Sequence, residues 1–355
     1  MSQSPLPPGT ALPLMRTLPA VVDPLRLFDR LTRGGTLPDT LLLESGDTST
    51  RYGERSLLMV RAALRLTGRG RTVTVRALSP GGAGLLPWLA AELAPLATVN
   101  AQAGEIGVEL PPAAPGELAA RLVAPSPLDV PRRLLQGLGR SPGEEDDLPL
   151  LVGSFGYDLI DAFEELPRPA GGPSSWPDFE LWLPERAIWL DHHHLTATVR
   201  VHTFAGPDPD AAYGEGIAGL TELVAAVTST PPPPAQPAHP LRRPGFSEHL
   251  AVTVDRSDAE YAATVATCQR HIVAGDVFQI VPSRTFTAPC SRPLAAYARL
   301  RRLNPSPYMF FLQGSAGCLL GASPETAVRV AGTPRTVSIR PIAGTRPRAR
   351  HADGR

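Results

Sequence analysis

Residues 304–325 read NPSPYMFFLQGSAGCLLGASPE and contain the most decisive pattern in the chain. Two apolar runs, 309–313 and 318–323, are separated by the glycine-containing stretch 314–317. This pattern predicts two short strands joined by a tight turn. The Asn304-Pro305 pair ends a helical pattern that begins at Pro293. The segment therefore predicts a helix followed by a β-hairpin.

A second helix is predicted upstream of this segment. Ser257 and Glu260 have the spacing of a capping box, an apolar stripe follows them, and Gly275 is placed to end the helix. Residues 277–286, VFQIVPSRTF, are rich in β-branched and aromatic residues and predict a strand. Pro282 within it favours a bulge or an edge position.

The first half of the chain mixes both kinds of element. Residues 40–45 (TLLLES) predict a buried strand, and residues 72–78 (TVTVRAL) predict an alternating strand. Between them, residues 56–68 place leucine and valine at helical spacing and predict a helix. Residues 79–84 (SPGGAG) predict a turn.

Proline-rich stretches suggest the domain organisation. We expect residues 1–24 to form a loose N-terminal arm and residues 229–245, STPPPPAQPAHPLRRPG, to form an extended linker. These stretches divide the chain into a first region, 25–228, and a second region, 246–355.

Composition excludes several classes of function. The 355 residues carry 34 basic and 34 acidic side chains, and every basic one is arginine. A balanced charge argues against nucleic acid as a main partner, and the lack of lysine excludes a lysine base or Schiff base. Three unpaired-looking cysteines argue against a disulfide framework or zinc site. No signal peptide or apolar run of ~18 residues is apparent, so we expect a cytoplasmic protein without membrane contact.

A histidine cluster raises the question of a metal site. His192, His193 and His194 are consecutive, and His202 follows nearby. Consecutive side chains on a strand alternate between its faces and do not converge on one ion. The segment is therefore interpreted as the tip of a hairpin.

Five motifs occur in order and in sensible spacing. They are LLLES (41–45), GSFGYDLIDAFEELP (153–167), AGDVFQIVPSR (274–284), NPSPYMFF with GASPE (304–311 and 321–325) and PIAGTRPR (341–348). Together they resemble anthranilate synthase component I, a family of chorismate-utilising enzymes. The resemblance implies an α+β fold, an α/β sandwich of mostly antiparallel sheets flanked by helices, whose C-terminal part is missing from this chain.

The resemblance also implies the catalytic residues. The glutamate of the family's SPE motif matches Glu325 and would be the general acid that protonates the departing ring hydroxyl. Gln279 stands where water-adding relatives carry a lysine base, which favours ammonia as the nucleophile. Ala343 stands where many aminodeoxychorismate synthases carry a nucleophilic lysine. Gly344 and Thr345 would bind chorismate.

A feedback site for tryptophan is implied as well. Its residues by match lie at the end of the LLLES strand and in the NPSPYM loop, and Arg55 replaces a lysine that is usual in the family. They are Glu44, Ser45, Arg55, Asn304, Pro307, Tyr308 and Met309.

The remaining implications concern a cofactor and partners. The family uses Mg²⁺, whose ligands would lie beyond Arg355, and receives ammonia from a glutamine amidotransferase subunit. Two alternatives stay open at this point. One is an aminodeoxychorismate synthase component I, and the other is a catalytically inactive fragment that binds tryptophan or a subunit.

Overall fold

A computed structural model gives the structure of the chain over most of its length. It describes residues 7–46, 55–112, 124–139, 150–164, 166, 175–204, 208–232 and 251–340. The predicted linker lies largely outside these residues, and the PIAGTRPR motif lies wholly outside them.

Strands provide the framework of the described residues. In chain order they are β1 (Ala11–Pro19), β2 (Thr40–Glu44), β3 (Arg55–Arg69), β4 (Thr72–Ala77), β5 (Thr98–Gln102), β6 (Glu105–Glu109), β7 (Val152–Phe155), β8 (Phe179–Asp191), β9 (Thr196–Phe204), β10 (Thr253–Val254), β11 (Phe286–Thr287), β12 (Tyr308–Gln313), β13 (Cys318–Ser323), β14 (Arg329–Ala331) and β15 (Thr336–Ser338).

Helices lie between these strands. They are α1 (Pro24–Leu31), α2 (Pro80–Leu93), α3 (Asp129–Gly137), α4 (Pro209–Ser229), α5 (Asp258–Ala274) and α6 (Pro293–Leu303), with a 3₁₀ helix at Tyr157–Ala162. Within the described ranges, no helix combines the length and the apolar character needed to cross a bilayer.

One large antiparallel sheet joins the two sequence regions. Its main path runs β1-β9-β8-β3-β2-β12-β13, with β4, β5, β6 and β7 attached beside it. β12 comes from the second region, yet it pairs with β2 of the first, and Met309 lies opposite Glu44. The predicted α+β fold with mostly antiparallel strands and flanking helices is confirmed.

The sheet is covered by helices over two large apolar clusters. One cluster includes Leu89 of α2 and Leu134 of α3, and the other includes Phe28 of α1, Leu223 of α4 and Tyr297 of α6. The helices and the sheet thus share a buried apolar core.

The helix predicted over residues 56–68 is wrong, because this segment is the central strand β3. It pairs with β2, β4 and β8. Adjacent Leu58 and Met59 are both fully buried and belong to different apolar clusters. A strand buried on both faces has a nearly continuous apolar sequence, which also satisfies helical spacing.

The turn predicted over residues 79–84 is also wrong, since these residues begin α2. The Ser79 hydroxyl accepts a hydrogen bond from the Gly82 N–H at 3.1 Å and caps the helix. A Cβ atom on Gly82 would lie 1.9 Å from the carbonyl oxygen of Ala63 in β3. The glycine is therefore needed for close packing of the helix on the strand.

Two further predictions need correction. The loose arm predicted over residues 1–24 is wrong for Ala11–Pro19, which form β1 and pair along β9. The strand predicted over residues 277–286 is wrong except at its end, where Phe286 pairs with Val254. Pro282 has no N–H to donate to a neighbouring strand, and the surrounding residues are largely exposed.

The remaining local predictions are confirmed. Ser257 and Glu260 form both hydrogen bonds of the capping box of α5, and Gly275 ends this helix with a positive φ of 83°. α6 begins at Pro293, and β12 and β13 form the predicted hairpin. The three histidines lie in the turn between β8 and β9.

Candidate functional site

The ends of β2 and β12 bring two of the sequence motifs together. Beyond the pairing of Met309 with Glu44, the N–H of Gly46 donates a 2.8 Å hydrogen bond to the carbonyl oxygen of Ser306. A Cβ atom on Gly46 would lie 2.6 Å from Met309 Sδ. The LLLES strand and the NPSPYM loop are thus in direct contact.

Glu44 is the charged centre of this region. Its side chain is fully buried, and its Oε1 accepts a 2.6 Å hydrogen bond from the Tyr297 hydroxyl. Arg301 Nη2 lies 3.1 Å from Oε2 without the alignment of a hydrogen bond. Burial raises the pKa of Glu44, and the Arg301 charge and the Tyr297 hydroxyl oppose that rise.

Arg301 connects three elements of the fold. Its Nη1 lies 3.0 and 3.2 Å from the two oxygens of Asp23, and Asp23 Oδ1 caps α1 by accepting from the Leu25 N–H. One guanidinium therefore serves two carboxylates, Asp23 and Glu44. With both carboxylates ionised, the cluster carries an excess negative charge and favours a cation.

A histidine borders this cluster from the β8–β9 turn. His192 Nε2 lies 2.7 Å from Ser56 Oγ. Burial lowers the pKa of His192, and the nearby Arg301 charge lowers it further. In the same turn, His194 instead pairs with Asp191. The histidines thus have different partners, as the hairpin interpretation requires.

The other residues that are predicted to bind tryptophan fall into two groups, one buried near Glu44 and one exposed. Ser45 and Met309 are buried and Pro307 is half-buried near Glu44, whereas Asn304 is exposed. Arg55 has a side chain that is 71% exposed and pairs with Asp191 at 3.4 Å.

No sequence motif points to Tyr297 or Arg301. Both lie one turn apart on α6, inside a segment whose helix could be predicted. Their separation from Glu44 by about 250 residues hides the contact from any local pattern.

Glu325 lies just after β13, beside the NPSPYM loop. Tyr308, the first residue of β12, is paired with Ser323, and its hydroxyl contacts the Thr326 hydroxyl. The Glu325 N–H donates a 3.2 Å hydrogen bond to Ser323 Oγ, and Glu325 is half-buried. The proposed general acid is therefore one strand away from the segment that pairs with Glu44.

Gln279, the other predicted catalytic residue, and the predicted chorismate contacts do not form a described pocket with Glu325. Gln279 is exposed, in the irregular segment between α5 and β11, and its neighbour Phe278 is fully exposed. Ala343, Gly344 and Thr345 lie outside the described residues. The chorismate pocket stays a prediction.

Magnesium has no ligand set among the described residues. These residues contain no group of three or more histidine, cysteine or carboxylate side chains that could hold a metal ion. The part of the chain with a described structure therefore does not fit the Mg²⁺ that the resemblance implies, and no chemical step is assigned to it.

Comparison with known proteins defines the class. The family profile described as chorismate binding enzyme matches residues 119–354, about two thirds of the chain. The chain belongs to this family of chorismate-binding enzymes. The match begins within the first sequence region, well before the predicted linker.

The curated relatives of this chain have a narrower name than the family as a whole. The chain is 40% identical over 334 residues to anthranilate synthase component 1 of Escherichia coli (strain K12), covering 94% of this chain and 61% of that protein. It is 39% identical over 336 residues to the Salmonella typhimurium protein of the same name, again covering 94% and 61%. The chain thus spans about three fifths of the length of these relatives.

Solved structures include the anthranilate synthase component I from Streptococcus pneumoniae TIGR4. The TM-score is 0.44 at 20% sequence identity, covering 79% of this chain and 52% of that chain.

Proposed function

We propose that this chain supplies the regulatory region and the first part of the catalytic region of an anthranilate synthase component I. The reaction joins ammonia to chorismate and releases water and pyruvate to give anthranilate. The support is the match of the SPE, NPSPYM and LLLES motifs together with their arrangement on adjacent strands β13, β12 and β2.

Glu325 is the proposed general acid. Hydroxide is a poor leaving group, so the ring hydroxyl must be protonated as it departs, and a positioned carboxylic acid contributes about 10²–10⁴-fold to such a step. Gln279 cannot deprotonate water, and Ala343 cannot attack the ring. Gln279 therefore favours ammonia over water as the nucleophile. Ala343 favours direct addition of ammonia and, with the tryptophan-site motifs, counts against the aminodeoxychorismate synthase alternative. Gly344 and Thr345 are the proposed chorismate contacts.

Tryptophan is the proposed inhibitor. The α-ammonium group of an amino acid matches the excess negative charge at Glu44 and Asp23, and Pro307, Tyr308 and Met309 supply apolar and aromatic surface for an indole. Ser45, Asn304 and Arg55 are the remaining proposed contacts, with Arg55 the least favoured because it pairs with Asp191. Inhibition follows if tryptophan binds better to a state with low chorismate affinity.

The wider assignments are proposals of the same kind. They comprise an amidotransferase subunit as the ammonia donor, Mg²⁺ held by residues outside the described chain, and a cytoplasmic location. The proposed organisation keeps a first region at 25–228, a linker at 229–245 and the start of the catalytic region at 246–355.

The proposed function is tested with chorismate, an ammonium salt and Mg²⁺, with anthranilate fluorescence as the readout. The chain is assayed alone and together with the part of the E. coli relative that the match does not cover. We expect anthranilate in the mixture, and inhibition of its formation by tryptophan. A mixture that folds and binds chorismate but forms no anthranilate would support the inactive binding fragment instead.

A further inference from the structure

A cavity of about 250 Å³ lies beside β8. It is bounded by β8, the end of β9 and the first turns of α2 and α4. None of its lining residues belongs to the sets assigned to chorismate or tryptophan. The cavity is therefore a separate feature, and its role is independent of the proposed function.

A β-bulge directs two charged side chains into this cavity. The register between β3 and β8 shifts so that Arg61 lies opposite Arg186 and Ala62 lies opposite Pro184, which leaves Glu185 as the extra residue. Bulges re-aim side chains and often occur beside functional sites. Glu185 and Arg186, although consecutive, both line the cavity.

Glu185 has an unused acceptor in the cavity wall. The residue is only 8% exposed. Its Oε1 lies 2.9 Å from Arg61 Nε, but its Oε2 is buried and has no hydrogen-bond partner among the described residues. Burial raises the pKa of Glu185, and a hydrogen bond from the Ser79 hydroxyl to the carboxylate, followed by the Arg61 charge, opposes the rise. A buried carboxylate oxygen without a donor is unfavourable unless a ligand supplies one.

The charges around Glu185 favour a cation as that ligand. Two guanidinium groups, Arg61 and Arg186, face three carboxylates, those of Glu185, Asp208 and Glu215. Both arginines are already paired, Arg61 with Glu215 at 3.1 Å and Arg186 with Glu222, outside the cavity, at 3.1 Å. A second buried atom without a hydrogen-bond partner among the described residues, Arg186 Nε, faces Gly219 of α4, which does not line the cavity. The unsatisfied atom that belongs to the cavity wall is therefore the acceptor Glu185 Oε2, in a lining with one more carboxylate than guanidinium.

The rest of the wall is suited to a small hydrocarbon group. Val201, Phe204, Ala211 and Ala212 contribute apolar surface. The volume is below the ~300 Å³ at which pockets for drug-sized ligands begin. We propose that this cavity binds a small primary amine, whose ammonium group donates to Glu185 Oε2 and whose short chain or single ring packs against Val201 and Phe204.

The experiment is a ligand-observed NMR titration of the chain with benzylamine, which is protonated at pH 7, and with benzyl alcohol as the uncharged control. We expect benzylamine to bind and benzyl alcohol to bind at least about tenfold more weakly, because hydrogen bonds to charged groups are the stronger kind. Absence of benzylamine binding, or equal binding of the alcohol, would overturn the proposal.

Variants locate the site. Glu185→Gln should weaken benzylamine binding at least about tenfold. Gly81→Ala should also weaken it, because the added Cβ would lie 3.9 Å from Glu185 Oε2 and 3.2 Å from Phe204. Gly214→Ala is the matched control, since a Cβ there meets nothing within 4 Å.

Glu92→Gln removes a carboxylate at an exposed position on α2 outside the cavity lining and should leave benzylamine affinity unchanged. If circular dichroism shows that Glu185→Gln does not fold, the benzylamine affinity of Gly81→Ala tests the location of the site. Unchanged benzylamine affinity in Gly81→Ala, or loss of affinity in Glu92→Gln, would contradict the assignment.

Discussion

The hydroxyl of Tyr297 on α6 donates a 2.6 Å hydrogen bond to the buried carboxylate of Glu44 at the end of β2. This contact joins the two sequence regions at the proposed tryptophan site. Arg301, one turn further along α6, adds a charge contact to the same carboxylate. Glu44 is thus held in place by a helix of the second region.

Tyr297→Phe should destabilise the chain. The substitution keeps the ring and removes a hydrogen bond to a buried charged group, which costs about 1.5–3 kcal/mol. Urea unfolding measures the change. Tyr213→Phe, at an exposed position on α4, is the matched control and should stay within about 0.5 kcal/mol of the parent chain. Equal effects of the two substitutions would contradict the importance of the Glu44 contact.

Arg301→Met should be more damaging. It leaves Asp23 and Glu44 without their shared cation, and breaking a buried ion pair costs about 3–5 kcal/mol. Arg301 is about a quarter exposed, so we expect roughly 2–4 kcal/mol in urea unfolding. Arg302→Met alters the exposed neighbour on the same helix and should have little effect. Stability in Arg301→Met equal to that in Arg302→Met would show that the guanidinium is dispensable.

Two carboxyl groups should give opposite pH dependences. Hydrogen bonds from His194, chiefly from its backbone N–H, lower the pKa of Asp191 from 3.8 to about 2, so the unfolded state takes up the proton first. The stability that Asp191 contributes is present above pH 4 and is lost as the pH falls from 3.8 towards 2.

Glu44 has a raised pKa in the folded state, so the folded state holds its proton longer. Its contribution to stability therefore falls as the pH rises above 4.5 through the folded-state pKa. Unfolding of the parent chain is compared with that of Asp191→Asn and Glu44→Gln between pH 3 and 8. As the pH rises through the acid range, the free energy of unfolding of the parent chain should increase relative to that of Asp191→Asn. Above pH 4.5, the free energy of unfolding of the parent chain should decrease relative to that of Glu44→Gln. If both stability differences changed in the same direction with pH, the environments described for Asp191 and Glu44 would be wrong.

Local chemistry accounts for the parts of the fold that could be predicted. The capping box at Ser257, the proline at 293 and the turn between β12 and β13 act through near neighbours, so the sequence displays them directly. β3 could not be recognised as a strand because burial on two faces removes the alternation that identifies one. The need for glycine at position 82 could not be predicted either, because it arises from the close approach of α2 to Ala63 in β3.

The candidate site also contains residues that could be predicted from the sequence and residues that could not. The motif residues around Glu44, Met309 and Glu325 could be named from their resemblance to a family. Tyr297 and Arg301 could not, because their role depends on a helix packing against a strand far away in sequence. The bulge at Glu185 is likewise visible only once β3 and β8 are paired.

The central claim is that Glu325 donates the proton that allows the ring hydroxyl of chorismate to leave. The direct measurement is the rate of anthranilate formation by Glu325→Gln, in the mixture with the part of the E. coli relative that the match does not cover. Glu92→Gln, at an exposed position on α2, is the control. We predict that Glu325→Gln lowers the rate about 10²–10⁴-fold and that Glu92→Gln leaves it unchanged. A Glu325→Gln rate within a few-fold of the parent would contradict the account.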